Sequence, residues 1–251
     1  MIFYFSATGN SRYVAERIAA ATGDETISIP DCCKSDRFSF DETDKTVGIV
    51  CPTYSWGLPS IVQEFLEKLT LRSRPSYLWF VATYGTTPGQ TGRFAEDILK
   101  RSGLTVSAKF SVQMPDTWTP LFDLSSKEKV QRINAAAEPQ IDRTIQLIQS
   151  RTSGDFMQRK MPLWLAKSVY GIEYPSMRQT HHFHVEDSCI GCGLCARNCP
   201  VSAIQLRDKR PVWVKEQCVM CLSCLHHCPK SAIQYGSRTK KHGQYSHFRL
   251  S

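Results

Sequence analysis

The feature that most constrains this chain is a duplicated cysteine motif near its C-terminal end. The stretches HVEDSCIGCGLCARNCPVSAIQL and WVKEQCVMCLSCLHHCPKSAIQY align without a gap at an offset of 29 positions, which brings Cys189 onto Cys218. Each stretch contains the pattern C-x2-C-x2-C-x3-C-P. An internal repeat this clear indicates two copies of one unit, packed about a pseudo-twofold axis.

The spacing within each copy is typical of ligands to a cubane iron–sulfur cluster. Three cysteines spaced by two residues bind one cluster, and the fourth, one helical turn further on, binds the cluster of the other copy. Gly191 and Gly193 leave backbone amides free to approach the first cluster. Two zinc sites are the alternative, but zinc usually takes two C-x2-C pairs separated by a longer loop. We therefore expect two [4Fe–4S] clusters, one held by Cys189, Cys192, Cys195 and Cys228 and the other by Cys218, Cys221, Cys224 and Cys199.

The start of the chain bears on how the 11 cysteines are interpreted. The opening MIFYF lacks the basic flank and the length of an export signal, and no apolar run approaches a membrane span. We therefore expect a cytoplasmic protein without a transmembrane segment, whose cysteines bind metal rather than form disulfides. Cys32 and Cys33 are expected to be exposed loop thiols, and Cys51 to pack at the end of its strand.

The first 150 residues alternate between strand-like apolar runs and helical patterns. This alternation predicts a parallel sheet covered on both faces by helices. Five strands fit a flavodoxin-like, doubly wound α/β fold, whose ligand lies at the carboxyl ends of the strands. The polar stretch 31–45 shows no helical period and is expected to be a loop. The predicted strands are MIFYF, ETISIP, TVGIVCP, YLWFVAT and LTVSAKFSV, and the predicted helices lie at about 10–22, 60–70, 89–102 and 125–151.

The first strand leads through the turn SATGNS into a helix. Such a turn places free N–H groups and the positive helix end around a small anion. It lacks the lysine of a Walker loop and the three glycines of the dinucleotide fingerprint. A neutral, compact cradle suits the single phosphate monoester of FMN. Its predicted contacts are Ser6, Thr8, Gly9, Asn10 and Ser11, with the hydroxyls and the Asn10 side chain as added donors.

Two further loops follow the third and fourth strands, at the same edge of the sheet. They carry the aromatic residues Tyr54, Trp56 and Tyr84, which could stack on an isoalloxazine ring. Neither loop is charged, so we expect stacking and backbone amides to tune the flavin, with Gly57 or Gly85 as the partner of N5. The predicted flavin contacts are Thr53, Tyr54, Ser55, Trp56 and Gly57 in the first loop, and Thr83, Tyr84, Gly85, Thr86 and Gly89 in the second.

These motifs resemble those of flavodoxin, and over nearly the full length those of the flavodoxin–ferredoxin fusion proteins called ferrodoxins. The matching pieces are FYFSATGNSRYVAE, PTYSWGLPSIVQEFLEKL, VATYGTTPGQTG, MPDTW and both cysteine motifs. The resemblance implies FMN, two [4Fe–4S] clusters, and a small α+β domain of the bacterial two-cluster ferredoxin type. This chain departs from the family at Thr117–Trp118, where Asn-Tyr is common, and in its basic cluster domain, since simple ferredoxins are usually acidic.

Four parts follow from these patterns: a flavodoxin-like FMN-binding domain (1–153), a junction (154–181), a two-cluster ferredoxin-like domain (182–236) and a basic tail (237–251). Six of the net eight positive charges lie from Val185 onward, which favours acidic partners. We expect the tail to be a solvated basic end. The junction is expected to be a strut packed between the domains, with one helical face formed by Trp164, Leu165, Val169 and Tyr170.

The histidines could suggest further metal sites. His181, His182 and His184 fall on a predicted strand whose alternate residues face opposite ways, so we expect no three-histidine site. His226 and His227 fill the spacer between two cluster ligands and are expected to be surface residues.

The implied cofactors predict electron transfer between one-electron carriers and a redox partner protein, either a ferredoxin-type donor or an oxidoreductase acceptor. The alternative is an iron–sulfur flavoenzyme that reduces a small molecule of quinone, nitro or enone type at the flavin. We leave open whether the chain is an enzyme or a carrier, and whether it forms a homodimer. The sequence has no nucleic-acid recognition motif, so we expect no nucleic-acid partner.

Overall fold

The apolar runs of the first part of the chain form one parallel sheet in the computed structural model, which describes residues 1–41 and 46–247. The sheet has the order β2-β1-β4-β6-β7-β8, with every neighbouring pair parallel. The strands of the chain are β1 (Ile2–Tyr4), β2 (Thr26–Ser28), β3 (Ser39–Phe40), β4 (Thr46–Pro52), β5 (Thr70–Leu71), β6 (Tyr77–Tyr84), β7 (Ala108–Gln113), β8 (Gly154–Asp155), β9 (Phe183–Val185), β10 (Ile204–Arg207), β11 (Arg210–Trp213) and β12 (Ile233–Tyr235). Because the order reverses between β1 and β4, a crevice opens at their carboxyl ends.

The sheet therefore has six strands among the described residues, one more than the five that the sequence predicted. The additional strand is β8, which pairs with Ala108 and Lys109 at the edge of the sheet. A two-residue strand made of glycine and aspartate has neither alternation nor strand propensity, so the sequence pattern gives no sign of it.

The helices are α1 (Asn10–Thr22), α2 (Ile29–Lys34), α3 (Ser60–Lys68), α4 (Thr91–Arg101), α5 (Lys127–Gln149), α6 (Leu163–Met177), α7 (Leu194–Arg197) and α8 (Ser223–His226), with 3-10 turns at Thr180–His182 and Thr239–Lys241. The prediction of a loop over 31–45 was wrong at the two-residue strand β3, which pairs with β5, and at α2. Ser28 caps this helix by accepting from the Asp31 amide, and a proline occupies its first turn. Residues 42–45 of that prediction lie outside the described residues.

Two apolar cores cover the two faces of the sheet, because successive strand residues point to opposite sides. Phe3 packs with Phe65 of α3 on one face, and Ile2 packs with Ile18 of α1 on the other. The central strand β6 is buried along its whole length. The described residues include no helix of sufficient length and apolarity to span a membrane.

The junction contains the helix α6, and two tyrosines connect it to both parts of the chain. The Tyr170 hydroxyl donates to the Leu58 carbonyl at 2.6 Å. The Tyr174 hydroxyl accepts from the Ser60 amide and donates to the Val219 carbonyl, both at 3.0 Å. We expected Trp164 to share one packed face of this helix with Leu165, Val169 and Tyr170. That prediction was wrong for Trp164, which is 71% exposed.

The duplicated unit folds with its two copies interlocked. The first strand of one copy, β9, pairs with the last strand of the other, β12, in antiparallel fashion. The remaining strands, β10 and β11, pair in the same way. Each copy thus completes the other, as the sequence repeat predicts.

The expectation of a solvated basic tail was wrong in part: Arg238, Lys240 and Lys241 are exposed, but the described residues that follow them are partly packed against the rest of the protein. Tyr245 is 6% exposed and His247 only 1%. The His247 ring stacks on Tyr13 of α1 at 4.2 Å between ring centroids, and its backbone amide donates to the Thr8 carbonyl at 2.9 Å. His247 is therefore packed against α1 and the turn before it.

Candidate cofactor sites

A cleft with a volume of ≈ 300 Å³ lies at the carboxyl ends of the parallel strands. This main cleft has the size of small-molecule sites in proteins. Twelve of the fifteen residues expected to contact FMN line it, and they come from all three predicted loops: Ser6, Thr8, Asn10, Ser11, Thr53, Tyr54, Ser55, Trp56, Thr83, Tyr84, Gly85 and Thr86.

The three remaining predicted residues are glycines that shape the loops from outside the lining. Gly9 has a φ of 99° and precedes α1. A Cβ on Gly57 would lie 2.4 Å from the Tyr170 ring, and a Cβ on Gly89 would lie 2.3 Å from the Trp56 carbonyl oxygen. Gly57 and Gly89 are thus required for close packing around the loop after β4, which contains Thr53–Gly57 and is called the first ligand loop below.

The turn before α1 has the properties of an anion cradle. No side chain caps the start of α1, which follows Gly9 in the left-handed region. The amides of the first helical turn therefore lack a side-chain acceptor, and the helix dipole adds positive potential there. Ser11 and Thr83 are almost fully buried, and their hydroxyl oxygens lie 2.7 Å apart. A phosphate monoester fits this set of amides and hydroxyls.

Asn10 lines the main cleft and is also bound by other parts of the chain. Its side-chain amide donates to the Pro115 carbonyl at 3.1 Å, and its side-chain oxygen accepts from the Tyr245 hydroxyl at 2.6 Å. Tyr245 is itself within 3.2 Å of the Asn134 side-chain oxygen. The Asn10 side chain therefore ties the turn to a neighbouring loop and to the tail.

The first ligand loop forms a tight turn between Tyr54 and Gly57, whose backbone groups hydrogen-bond each other at 2.8 and 2.9 Å. The two central residues have positive φ angles, 44° for Ser55 and 63° for Trp56. Such angles are costly for residues with side chains and cluster at functional sites. Because the Gly57 amide is engaged within this turn, Gly85 is the better candidate for the flavin N5 partner.

The main cleft also contains residues that the sequence reasoning missed. Most belong to the segment after β7, to α6 and to the second cysteine motif, and Ala7, Pro52 and Thr87 extend the three predicted loops. Asp116 is the most distinctive, because burial raises the pKa of its carboxyl. Its position after a strand end could have identified it in the sequence. The missed lining residues are Ala7, Pro52, Thr87, Met114, Pro115, Asp116, Thr117, Trp118, Leu121, Phe122, Glu173, Tyr174, Met177, Met220, Cys221 and Leu222.

The eight motif cysteines line two cavities, each with three cysteines from one copy and one from the other. The cysteines that line each cavity are the same four that the motif spacing assigns to one cluster, and their role as ligands stays a prediction. We name these the first cysteine cavity, with Cys189, Cys192, Cys195 and Cys228, and the second cysteine cavity, with Cys199, Cys218, Cys221 and Cys224.

The two cavities share a pattern of hydrogen bonds that follows the repeat. The Ala203 amide donates to the Cys199 sulfur at 3.2 Å, and the equivalent Ala232 amide donates to Cys228 at 3.2 Å. Among the described residues, no group of three or more His, Cys, Asp or Glu side chains converges closely enough to hold a single metal ion. Four thiols spread around a cavity suit a multi-iron cluster better than one zinc ion.

The two copies differ in the turn that joins their first three cysteines. Gly191 and Gly193 have φ angles of 66° and 74°, and the equivalent Met220 and Leu222 keep left-handed angles of 60° and 56°. Both of these larger residues are buried and line the main cleft. The second copy thus adopts a backbone conformation that favours glycine while presenting two apolar side chains to the cleft.

One cysteine belongs to both sites. Cys221 and Leu222 line the second cysteine cavity and also the main cleft. Cys192, the equivalent of Cys221 in the first copy, is exposed to solvent. The equivalent cysteines of the two copies therefore lie in different surroundings, one at the surface and one at the main cleft.

His226 is buried at 5% exposure, so the expectation of a surface residue was wrong. Its Nδ1 accepts from the Tyr245 amide at 3.1 Å, and its Nε2 lies 2.9 Å from the Thr117 carbonyl. These partners require the neutral tautomer with the proton on Nε2. Burial lowers the pKa of His226 to about 4, in keeping with that form. His226 joins the cysteine motif to the cleft loop and the tail.

The remaining histidines and cysteines considered in the sequence lie away from these sites. His181 and His182 stack on each other at 4.0 Å, and His184 is within 3.7 Å of Glu186. Cys51 is fully buried at the end of β4, as expected. Cys32 is 3% exposed and lies on α2, so it was wrongly expected to be an exposed loop thiol, and Cys33 beside it is half-buried.

Family models match both parts of the chain. A flavodoxin domain model matches residues 1–144, and a 4Fe-4S dicluster domain model matches residues 181–229. No curated protein matches significantly.

Several solved structures are similar to the first part of the chain. A flavodoxin from Megasphaera elsdenii is 18% identical, with 56% of this chain and 97% of that chain covered and a TM-score of 0.34. A flavodoxin from Streptococcus pneumoniae TIGR4 is 16% identical, with coverages of 57% and 97% and a TM-score of 0.33. A flavoprotein from Bacteroides uniformis is 18% identical, with coverages of 54% and 96% and a TM-score of 0.33. At TM-scores this low, family membership rests on the family models.

Proposed function

The chain belongs to the flavodoxin family and carries a 4Fe-4S dicluster domain in the same polypeptide, and we propose that it is an electron-transfer protein with an internal relay between FMN and two [4Fe–4S] clusters. FMN takes up two electrons in single steps and each cluster carries one, so the combination connects one-electron and two-electron chemistry. The single observation that carries this proposal is the position of Cys221, which lines both the second cysteine cavity and the main cleft.

The residues that would hold FMN are those of the three loops around the main cleft. The amides after Gly9 and the buried hydroxyls of Ser11 and Thr83 would bind the phosphate. Trp56 and Tyr84 would pack against the ring, and the strained turn at Trp56 fixes the first of them in place. The hydrogen bond from the Asn10 side chain to the Pro115 carbonyl would hold the turn before α1 in position against the loop after β7.

The residues that would hold the clusters are the four cysteines of each cavity. Thiolates are the ligands of iron–sulfur clusters, and amide donors to the sulfurs stabilise their negative charge. The amides of Ala203 and Ala232 supply such bonds to Cys199 and Cys228. Support for two clusters is the equivalence of the two donor sets, down to the length of these bonds.

The arrangement suggests an order for the relay. The second cysteine cavity adjoins the main cleft, whereas the first has its Cys192 at the surface. Cys195 of the first set packs against the apolar cluster that contains Cys199, and its thiol is near enough to Cys224 of the second set to affect it electrostatically. Electrons would therefore pass between the solvent side and the flavin through the first cluster and then the second. Met220 and Leu222 would exclude water from the last step.

This proposal is tested by loading the chain anaerobically and measuring FMN and iron per polypeptide, followed by stepwise reduction. We expect one FMN, two clusters and equilibration of electrons among all three. A chain that binds FMN but no iron after reconstitution would contradict the relay.

A second function, reduction of a small molecule at FMN, is favoured by one feature of the main cleft. Beyond the predicted flavin loops, the lining continues over Trp118, Leu121 and Phe122 to the buried carboxyl of Asp116. Glu173, the other carboxyl in the lining, is exposed to solvent. An apolar wall that leads to the Asp116 carboxyl suits an uncharged aromatic or unsaturated carbonyl compound. Turnover of quinone, nitro or enone compounds with reduced ferredoxin as the only other protein would support it, and inertness towards all three classes would count against it.

A further inference from the structure

The surface around the first cysteine cavity combines exposed apolar side chains with basic ones. Ile190 is 59% exposed and Leu206 is 41% exposed, and both line this cavity. Cys192 reaches the surface beside them. Exposed apolar side chains next to a functional site commonly mark a place where another protein binds.

Three basic residues surround this apolar centre. Lys230 lines the cavity, and its lining includes no carboxylate among the described residues. Lys209 packs directly on the turn, since a Cβ on Gly191 would lie 2.6 Å from the Lys209 carbonyl oxygen. Arg197 donates to the Cys192 carbonyl at 2.9 Å. All three side chains are exposed, so their charges are available to a partner.

The nearest opposite charges only partly offset this patch. Asp187 is within 3.6 Å of Arg210, a further basic residue of the same region, and Glu186 is paired with Lys240 at 3.1 Å. Asp208 is exposed in the hairpin beside Lys209. The surface therefore remains positive around an apolar centre. A second copy of the same chain would bring like charges together, which disfavours self-association through this face.

We propose that this surface, formed by Ile190, Leu206, Arg197, Lys209 and Lys230, is the docking site of an acidic one-electron carrier protein of the low-potential iron–sulfur type. The inference rests on the proposed function, because it assigns the solvent side of the relay to the first cysteine set. In each encounter the reduced carrier would give up one electron, and Cys189, Cys192, Cys195 and Cys228 would hold the cluster that takes it up. The carrier is oxidised by one electron, and no bond or proton changes place.

Charge complementarity of this kind chiefly raises the association rate and makes it dependent on salt. Small interfaces that combine an apolar centre with a charged rim are typical of transient redox encounters. The proposal also explains why this domain is positively charged whereas simple ferredoxins are usually acidic, because an acidic carrier binds best to a positively charged surface.

The test is a calorimetric titration of the loaded full-length protein with an oxidised, acidic two-cluster bacterial ferredoxin, which measures binding without electron transfer. We expect micromolar-range binding at low ionic strength that weakens as salt is added. The double variant Lys209→Glu with Lys230→Glu should bind about tenfold or more weakly. The matched control, Lys100→Glu with Arg74→Glu, changes the net charge equally at the opposite end of the parallel sheet and should bind normally.

Three outcomes would overturn the proposal. The double variant could bind like the wild type, or the control pair could weaken binding as much, or the ferredoxin could fail to bind at all. Loss of binding to phosphatidylglycerol vesicles, with ferredoxin binding unchanged, would instead assign the patch to an anionic membrane surface. Reduction of FMN by photoreduced deazaflavin, which needs no docking protein, monitors the relay separately, so failure of docking and failure of the proposed function are distinguishable.

Discussion

The Tyr245 hydroxyl donates a 2.6 Å hydrogen bond to the side-chain oxygen of Asn10, 235 positions earlier in the chain. This bond joins the tail to the turn proposed to bind the phosphate. Through Tyr245, the same tail also meets His226 of the second cysteine motif. The binding of FMN and the integrity of the dicluster domain are therefore expected to depend on each other.

Removing the Tyr245 hydroxyl should weaken FMN binding. Tyr245→Phe leaves the Asn10 oxygen without this donor, and one hydrogen bond contributes about 0.5–1.5 kcal/mol, or roughly two- to tenfold in affinity. Quenching of FMN fluorescence on titration into the apoprotein measures the effect. Tyr77→Phe is the matched control, because the Tyr77 hydroxyl donates to the Thr152 carbonyl at 2.7 Å, at the far end of the sheet. Equal FMN affinity in both variants would refute a role of the tail in holding the phosphate turn.

Single substitutions of the fourth cysteine in each motif should remove the cluster of the other copy. Cys228→Ala opens the first cysteine cavity, and Cys199→Ala opens the second. Each variant should bind about half the iron of the wild type after reconstitution. The two losses should be distinguishable by electron paramagnetic resonance of the remaining cluster. Iron loss confined to the copy that carries the substitution would contradict the crossed ligand sets.

Met220 should control the environment of the second cluster. Met220→Gly relieves a positive φ of 60°, but it removes a side chain that is only 4% exposed. Water reaching the cluster should raise its midpoint potential, on the order of tens of millivolts, since exposure is one determinant of that potential. Redox titration followed by electron paramagnetic resonance checks the shift. Ile190→Ala, at an exposed position beside the first cluster, should leave the second cluster's potential unchanged.

Asp116 should make stability depend on pH. Burial raises the pKa of this carboxyl in the folded state, so its neutral form stabilises the fold below its ordinary pKa, and this contribution is lost as pH rises through the folded value. Asp116→Asn keeps an acceptor for the Trp118 amide, which lies 3.1 Å from Oδ1. The variant should therefore have a higher Tm than the wild type at neutral pH, with the difference disappearing in acid. A Tm difference that does not vary with pH would show that the charge of Asp116 is not the cause.

The local features of this fold could be predicted from the sequence. The apolar runs at β1, β4 and β6 are long enough to identify, and the loops that follow them must meet at one edge of a parallel sheet. The cysteine spacing defines its groupings because three ligands lie within a single turn. These inferences depend on residues that are close together in the chain.

The features that were missed depend on distant contacts. The bond between Asn10 and Tyr245 of the tail cannot be predicted from either local sequence, and His226 resembles a surface residue until Thr117 is placed beside it. The buried side of α6 is set by Tyr174, which bonds both Ser60 and Val219, rather than by the most apolar residues of the helix. No local pattern specifies such pairings.

The most direct measurement is anaerobic reduction of the loaded protein by a limiting amount of reduced acidic ferredoxin, with flavin and cluster absorbance followed together in the wild type and in Cys199→Ala. We expect the wild-type flavin to be bleached. In the variant, the first cluster should still be reduced while the flavin stays oxidised over the same period. Equally fast bleaching of the flavin in both proteins would contradict a relay that reaches FMN through the second cluster.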